Sequence, residues 1–342
     1  MAAGKWISEI TSGTATLDAA RRVLGLRFSV LRDAVGGIFH ERDKSLEDVH
    51  QLRVASRRAA AALDIFRECL KKKAYRLAAK RLKRLRRAAG EARDLDVLLM
   101  HYTRRLERAA PDEAHALDLL CGYALAERIP AQRVLHEACA GYPFEFERWM
   151  SETVSALAEP TRDIQLVGAL GQRHLAGLCE QISQALSSAG PVYQDLHAVR
   201  IVGKRLRYAM EVFADCFPES FREELYPQVA ELQEILGVVT DAHVSLQRTA
   251  ELVRGLTQVL PGCAPRWSEA LAQFTADLQR EQNQGLERFA AWKARVQRTE
   301  FVRQFQVLLE TPSGSSPHTV EPVSVSDPVT PDDQSLPVAH AS

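Results

Sequence analysis

Leu52, Ala55, Ala59, Leu63, Phe66 and Leu70 step along the chain by three, four, four, three and four residues. Apolar side chains at that spacing line one face of an α-helix. Val199, Val202, Leu206, Met210, Phe213 and Phe217 repeat the same steps in the second half of the sequence. Amphipathic periodicity over the rest of the chain predicts helices at about 14–39, 73–89, 94–109, 112–127, 131–139, 145–157, 163–187, 220–236, 241–259, 266–283 and 286–309, with the two stripes themselves falling in helices at 47–70 and 194–214. Gly190-Pro191, Pro218, Pro261 and Pro265 mark breaks. Alternating β-branched runs are few, so the expected fold class is all-α.

The repetition extends beyond the stripe. A shift of 147 residues carries Asp48, His50, Arg53, Arg58, Ala62, Phe66 and Cys69 onto identical residues, seven of the 23 positions from Asp48 to Leu70. The same shift takes Leu85, Gly90, Asp94 and Val97 to Leu232, Gly237, Asp241 and Val244. A period this long is unlike a solenoid and points to an internally duplicated helical bundle, with halves at 14–157 and 161–309.

Charge sharpens the pattern. The 342 residues hold 44 Lys and Arg and 44 Asp and Glu, so the global balance names no partner. Its distribution does more. His50 to Ala110 holds 18 basic against 6 acidic residues, while Thr311 to Ser342 has four acids, six prolines and no Lys or Arg. The residues from 310 to 342 are therefore expected to be a disordered tail, and residues 1–13 a flexible leader into the first helix.

Opposite the first apolar stripe lie His50, Arg53 and Arg57; opposite the second lie His197, Arg200, Lys204 and Arg207. No acid interrupts either cationic face between His50 and Leu63 or between His197 and Met210. Like charges one turn apart cost a few tenths of a kcal/mol each, so an anion is the expected missing partner. The following helix adds Arg76, Lys80, Lys83, Arg84 and Arg87, whereas its counterpart carries Glu223, Glu224, Glu231 and Glu234. The anion-binding surface should lean toward the N-terminal half.

GEARDLDVL at Gly90 and GVVTDAHVS at Gly237 place a glycine four residues before an aspartate. That spacing predicts a helix stop followed by an N-cap, with Asp94 and Asp241 also available to orient facing cations. A metal-dependent phosphohydrolase using Asp94, Asp96, Asp241 and His243 is the competing reading, but no HD dipeptide, phosphate-cradling glycine loop or paired carboxylates support it. No cofactor is expected. The six scattered cysteines form no CxxC pair and suit buried thiols, and no apolar run approaches the roughly 20 residues of a membrane span. A cytoplasmic protein is the expectation.

HQLRVASRR, LRRAAGEARDLDVL, LHAVRIVGKRLRYAMEVF and LQEILGVVTDAHV together resemble the CHAD family, the conserved histidine α-helical domain, across roughly residues 14–309. The resemblance implies two pseudo-symmetric four-helix-bundle halves, a basic central channel and binding of inorganic polyphosphate. It implies channel-facing roles for His50, Arg53, Arg57 and Arg58, and for His197, Arg200, Lys204, Arg205 and Arg207. One departure is TDAHV in place of RDLDV, where Thr240 lacks the charge of Arg93. No ExExK signature of a triphosphate-hydrolysing CYTH domain occurs, so a stand-alone form is expected. Together the basic faces and the resemblance predict a non-catalytic polyphosphate-binding protein, with recruitment to polyphosphate granules as a further expectation. The alternative partner is nucleic acid, held on the same face.

Overall fold

The computed structural model describes residues 5–39, 46–160, 165–190, 192–298 and 300–310, without the side chains of residues 263 and 264. The expected C-terminal tail lies outside the described residues beyond 310. Among those described, the regular structure is helical: α1 (Thr16–Phe39), α2 (Leu46–Ile65), α3 (Lys72–Leu106), α4 (Pro111–Ala138), α5 (Phe144–Ser155), α6 (Val167–Ser188), α7 (Tyr193–Phe213), α8 (Tyr226–Val259), α9 (Ala264–Ala270), α10 (Ala272–Arg298) and α11 (Phe301–Glu310). The all-α expectation holds.

In the first set α1 packs on α2, α2 on α3 and α3 on α4, and α6, α7, α8 and α10 follow the same order. Contacts of α2 with α7 and of α3 with α8 join the two sets. The stripes that predict α2 and α7 form the seam of the core, with Leu52, Ala59, Phe66, Val199, Met210 and Phe213 all fully buried. Both helices end in a short 3-10 turn, Arg67–Cys69 after α2 and Ala214–Cys216 after α7. Positions 147 residues apart also meet directly, since the Tyr102 hydroxyl lies 2.9 Å from Thr249 Oγ1.

Four expectations are corrected. Gly90 and Gly237 do not end helices: α3 and α8 run straight through them. A glycine costs roughly 1 kcal/mol against alanine in a helix interior, and strong formers on both sides, packed on two neighbours, outweigh that. Asp94 and Asp241 are consequently mid-helix residues and cap nothing. Pro130 likewise sits inside α4 instead of separating two helices. At the C-terminal end the break falls after Arg298, while Gly285 stays within α10, where a Cβ would come to 2.5 Å from Val239 Cγ2; it is there for close packing on α8. Finally, residues 5–13 are no loose leader. Ile7 and Ile10 are in the core, the Trp6 ring lies 4.6 Å from that of Tyr226, and Arg27 donates to the Lys5 carbonyl at 3.1 Å.

Candidate anion-binding site

Where α2 runs beside α7, each helix lends an arginine to the other's acid. Arg58 on α2 grips Glu211 on α7 with Nε at 2.8 Å and Nη2 at 3.2 Å, and Arg205 on α7 approaches Asp64 on α2 to 3.8 Å. The two pairs differ in depth. Glu211 is fully buried, also accepts from the Tyr226 hydroxyl at 3.0 Å, and has Arg27 at 4.0 Å. Asp64 and Arg205 remain half-exposed, Asp64 accepting from the Tyr75 hydroxyl at 3.1 Å and Arg205 donating to Gln181 at 3.0 Å.

Above this crossing lies a cavity of about 530 Å³, walled by α2, α3 and α7. Arg57, Lys83, Arg86, Lys204 and Arg205 bring positive charge to it; Asp64 is the one acid among its lining residues, and Tyr75, Tyr208, Ile201 and small alanines complete the wall. Further along the same seam, Arg53 donates to Asp94 at 2.8 Å. The Nε atoms of Arg57 and Arg200 are buried with no hydrogen-bond partner.

The electrostatics record the imbalance. Burial pushes the Lys204 ammonium down to about 6, and Arg200, Arg57 and Arg53 deepen the shift against a partial offset from Asp241. Burial also lowers Arg57 to about 10, with Arg53 and Arg200 adding to it, and Arg200 is lowered by burial despite the nearby Asp241. Half-buried cations that repel one another lose their protons more readily unless an anion joins them.

The sequence-derived site residues divide accordingly. Arg57, Lys83, Lys204 and Arg205 line the cavity, and Arg53 and Arg200 lie next to them on the same helix faces. Arg58 does not face it: with Glu211 it is buried in the core. Arg207 is turned toward Tyr208, its guanidinium 5.1 Å from the ring, and lies in the field of Glu211. Arg84 leaves for the opposite flank of α3, donating to the Glu137 carbonyl at 2.8 Å near the end of α4. Lys80 and Arg87 are exposed on α3 and are not among the lining residues. His50 is half-buried, its imidazole lowered by burial and by Arg93, while His197 is exposed near the Tyr193 ring. Arg86 is the lining cation that the sequence reasoning passed over, although it stands one helical step from Lys83.

The candidate metal ligands disperse. Asp94 holds Arg53, the buried Asp96 takes Arg128 at 2.6 Å, and His243 stacks on Tyr193 with centroids 3.7 Å apart. Among the described residues, no three His, Cys, Asp or Glu side chains converge as a metal site, and no helix is long and apolar enough to cross a membrane. Cys69, Cys121, Cys139, Cys179 and Cys216 are free thiols. A second cavity of about 500 Å³ near His101 and Arg104 is more nearly balanced: Arg104, Arg105, Arg108 and Arg280 meet Asp277 and Glu281 along its lining, and Arg105 binds both Glu113 and Asp277 at 2.7 Å.

An all-helical protein with a half-buried, under-neutralised cationic cavity between two helical sets is thus defined. The chain belongs to the CHAD domain family, whose model matches residues 22–250. Among solved structures, it is similar to the CHAD domain from the plant Ricinus communis, with a TM-score of 0.63 and 22% identity over 85% of this chain and 95% of that one. It is also similar to PptA from Streptomyces chartreusis, with a TM-score of 0.62 and 17% identity over 82% of this chain and 99% of that one. At these identities the likeness concerns the fold. No curated protein matches the chain.

Proposed function

We propose that the protein binds inorganic polyphosphate without chemically altering it, in the cavity between α2, α3 and α7 and along the Arg53 to Lys204 seam beside it. The observation that carries this is the cluster of Arg53, Arg57, Arg200 and Lys204: four basic side chains held partly out of water, with Asp94 bonded to Arg53, Asp241 offsetting Arg200 and Lys204 only in part, and buried Nε atoms of Arg57 and Arg200 left without partners. A folded protein keeps such a cluster at a cost in stability, so a ligand of high negative charge density is its natural complement. Polyphosphate offers about one charge per phosphate and no bases to be read. Guanidinium forks bridge adjacent oxygens and lysines add point charge.

Nucleic acid fits less well. Stacking on aromatic rings is the usual platform for single strands, and here the Tyr75 hydroxyl is tied to Asp64 while Arg207 covers Tyr208. Recruitment to polyphosphate granules would follow from the same binding.

The deciding experiment measures binding of long-chain polyphosphate across a salt series, with RNA as competitor, by the wild type and by an Arg57→Glu, Lys204→Glu variant. Tight, RNA-resistant binding that the helical variant loses supports the proposal. Equal binding by both proteins, or none by the wild type at low salt, refutes it.

A further inference from the structure

Glycine is among the worst residues for a helix interior, so a glycine near the middle of a long helix asks for a reason. Several here have one in packing. A Cβ on Gly203 would meet Gln233 Nε2 at 2.3 Å, and one on Gly171 would meet Phe213 at 3.0 Å. Gly90 in α3 and Gly237 in α8 have no such reason, because a Cβ built on either finds no atom within 4 Å. Neither is a plain solvent-facing position: both are half-buried, as is the equally open Gly177 in α6, whereas Gly25 and Gly122 are exposed, so what singles out Gly90 and Gly237 is the row of side chains each stands in.

Their rows say what the space adjoins. Residues 86, 90 and 94 stand one above another on α3. Arg86 lines the cavity with Arg57 and Lys204, and Asp94 holds Arg53, so Gly90 lies between the cavity and that ion pair. On α8 the corresponding row is Gln233, Gly237 and Asp241. Asp241 acts on both Arg200 and Lys204. Gln233 is only 6% exposed, packs against Gly203 between Arg200 and Lys204 in α7, and has no partner for either atom of its amide. An orphaned amide this deeply buried is a group awaiting a ligand or water.

We infer that Gly90 and Gly237 are passage points of the bound anion, where the absence of a side chain lets the phosphate chain lie against the backbones of α3 and α8 opposite Arg53, Arg57, Arg200 and Lys204, with the Gln233 amide as a neutral donor beside it. The inference rests on the polyphosphate reading above. It adds a requirement for side-chain size that charge alone does not impose: the two glycines admit the ligand and contribute nothing to the stability of the empty protein.

The test is a Gly90→Leu, Gly237→Leu variant beside the wild type and a Gly25→Leu, Gly122→Leu control, each assayed for helicity, melting temperature and affinity for long-chain polyphosphate. Leucine is a strong helix former entering open space, so the double variant should melt at the wild-type temperature or above it and bind at least tenfold more weakly, while the control binds normally. Undiminished affinity in the folded double variant overturns the inference and leaves the polyphosphate reading intact. Loss of fold would show that the protein itself needs those spaces, and overturns it too. A wild type that fails to bind removes both.

Discussion

Arg53 donates to Asp94 across 2.8 Å, and one turn further along α2 the buried Nε of Arg57 has no partner. Two arginines on one helix face thus enter a binding event in different states, one already neutralised and one waiting. Arg57→Gln should lower the salt dependence of polyphosphate binding by about 0.7–0.9 log units per log unit of salt, the contribution of one phosphate neutralised. Arg53→Gln should lower it by less, because Asp94 already shares that charge. Asp94→Asn should move the slope the other way. Binding titrations at four or five salt concentrations separate the three variants.

Lys204 links the site to pH. Its folded value is held near 6, while a free lysine titrates near 10.4. Between those limits the unfolded chain binds more protons than the folded one, so stability rises with pH from about 6 upward and is insensitive to this residue below it. Lys204→Met should flatten that rise and, at pH 7, raise the melting temperature of the empty protein by a few degrees, as removal of a strained functional charge commonly does. Ligand binding should reverse the sign. An anion restores the ammonium, so polyphosphate binding above pH 6 takes up as much as one proton and weakens as pH rises. Calorimetry in two buffers of different ionisation enthalpy measures that uptake, and Lys204→Met should abolish it.

The Arg58 to Glu211 pair belongs to the core, and its loss should leave the ligand site untouched. Breaking a buried pair typically costs about 3–5 kcal/mol, because one charge is left without compensation. Glu211→Leu should cost more than Arg58→Met, since it leaves the buried Arg58 guanidinium without its carboxylate and takes the acceptor from the Tyr226 hydroxyl as well. The double variant should recover part of the loss. Urea unfolding gives all three values, and polyphosphate affinity of the folded Arg58→Met protein should match the wild type within about twofold.

Arg84 provides the contrast on the other flank of α3. Its bond to the Glu137 carbonyl ties α3 to the end of α4, so Arg84→Gln should reduce stability by about 1 kcal/mol, the usual worth of one such bond, with no change in salt slope or affinity. Lys83→Gln, by comparison, should weaken binding with little effect on unfolding, since Lys83 lines the cavity from an exposed position.

The helix faces were the most legible part of the sequence. All of the two six-residue stripes but the half-buried Val202 is buried, in α2 and α7 and the turns that follow them, because an amphipathic repeat reports a packing surface whatever the surface meets. Gly90 with Asp94 misled for a physical reason: a stop signal describes a helix end without neighbours, whereas α3 is held on both sides of the glycine by α2 and α4. Arg58 and Arg205 were indistinguishable by periodicity at equivalent positions. What separates them is the depth of acids on the facing helix, and the partner of Arg58 lies 153 residues away. Choosing Arg86 over Arg84 required the rotation of α3 about its own axis, and steps of three and four admit both.

That separation of 153 residues between Arg58 and Glu211 also sets an order of events during synthesis. When α1 to α5 have left the ribosome, Arg58 is already present, but the carboxylate that pairs with it in the finished core is still untranslated. The N-terminal half must therefore remain open along the α2 face, or close over uncompensated charge, until α7 arrives. A chain ending before residue 211 would carry Arg58 without the carboxylate that pairs with it in the finished core.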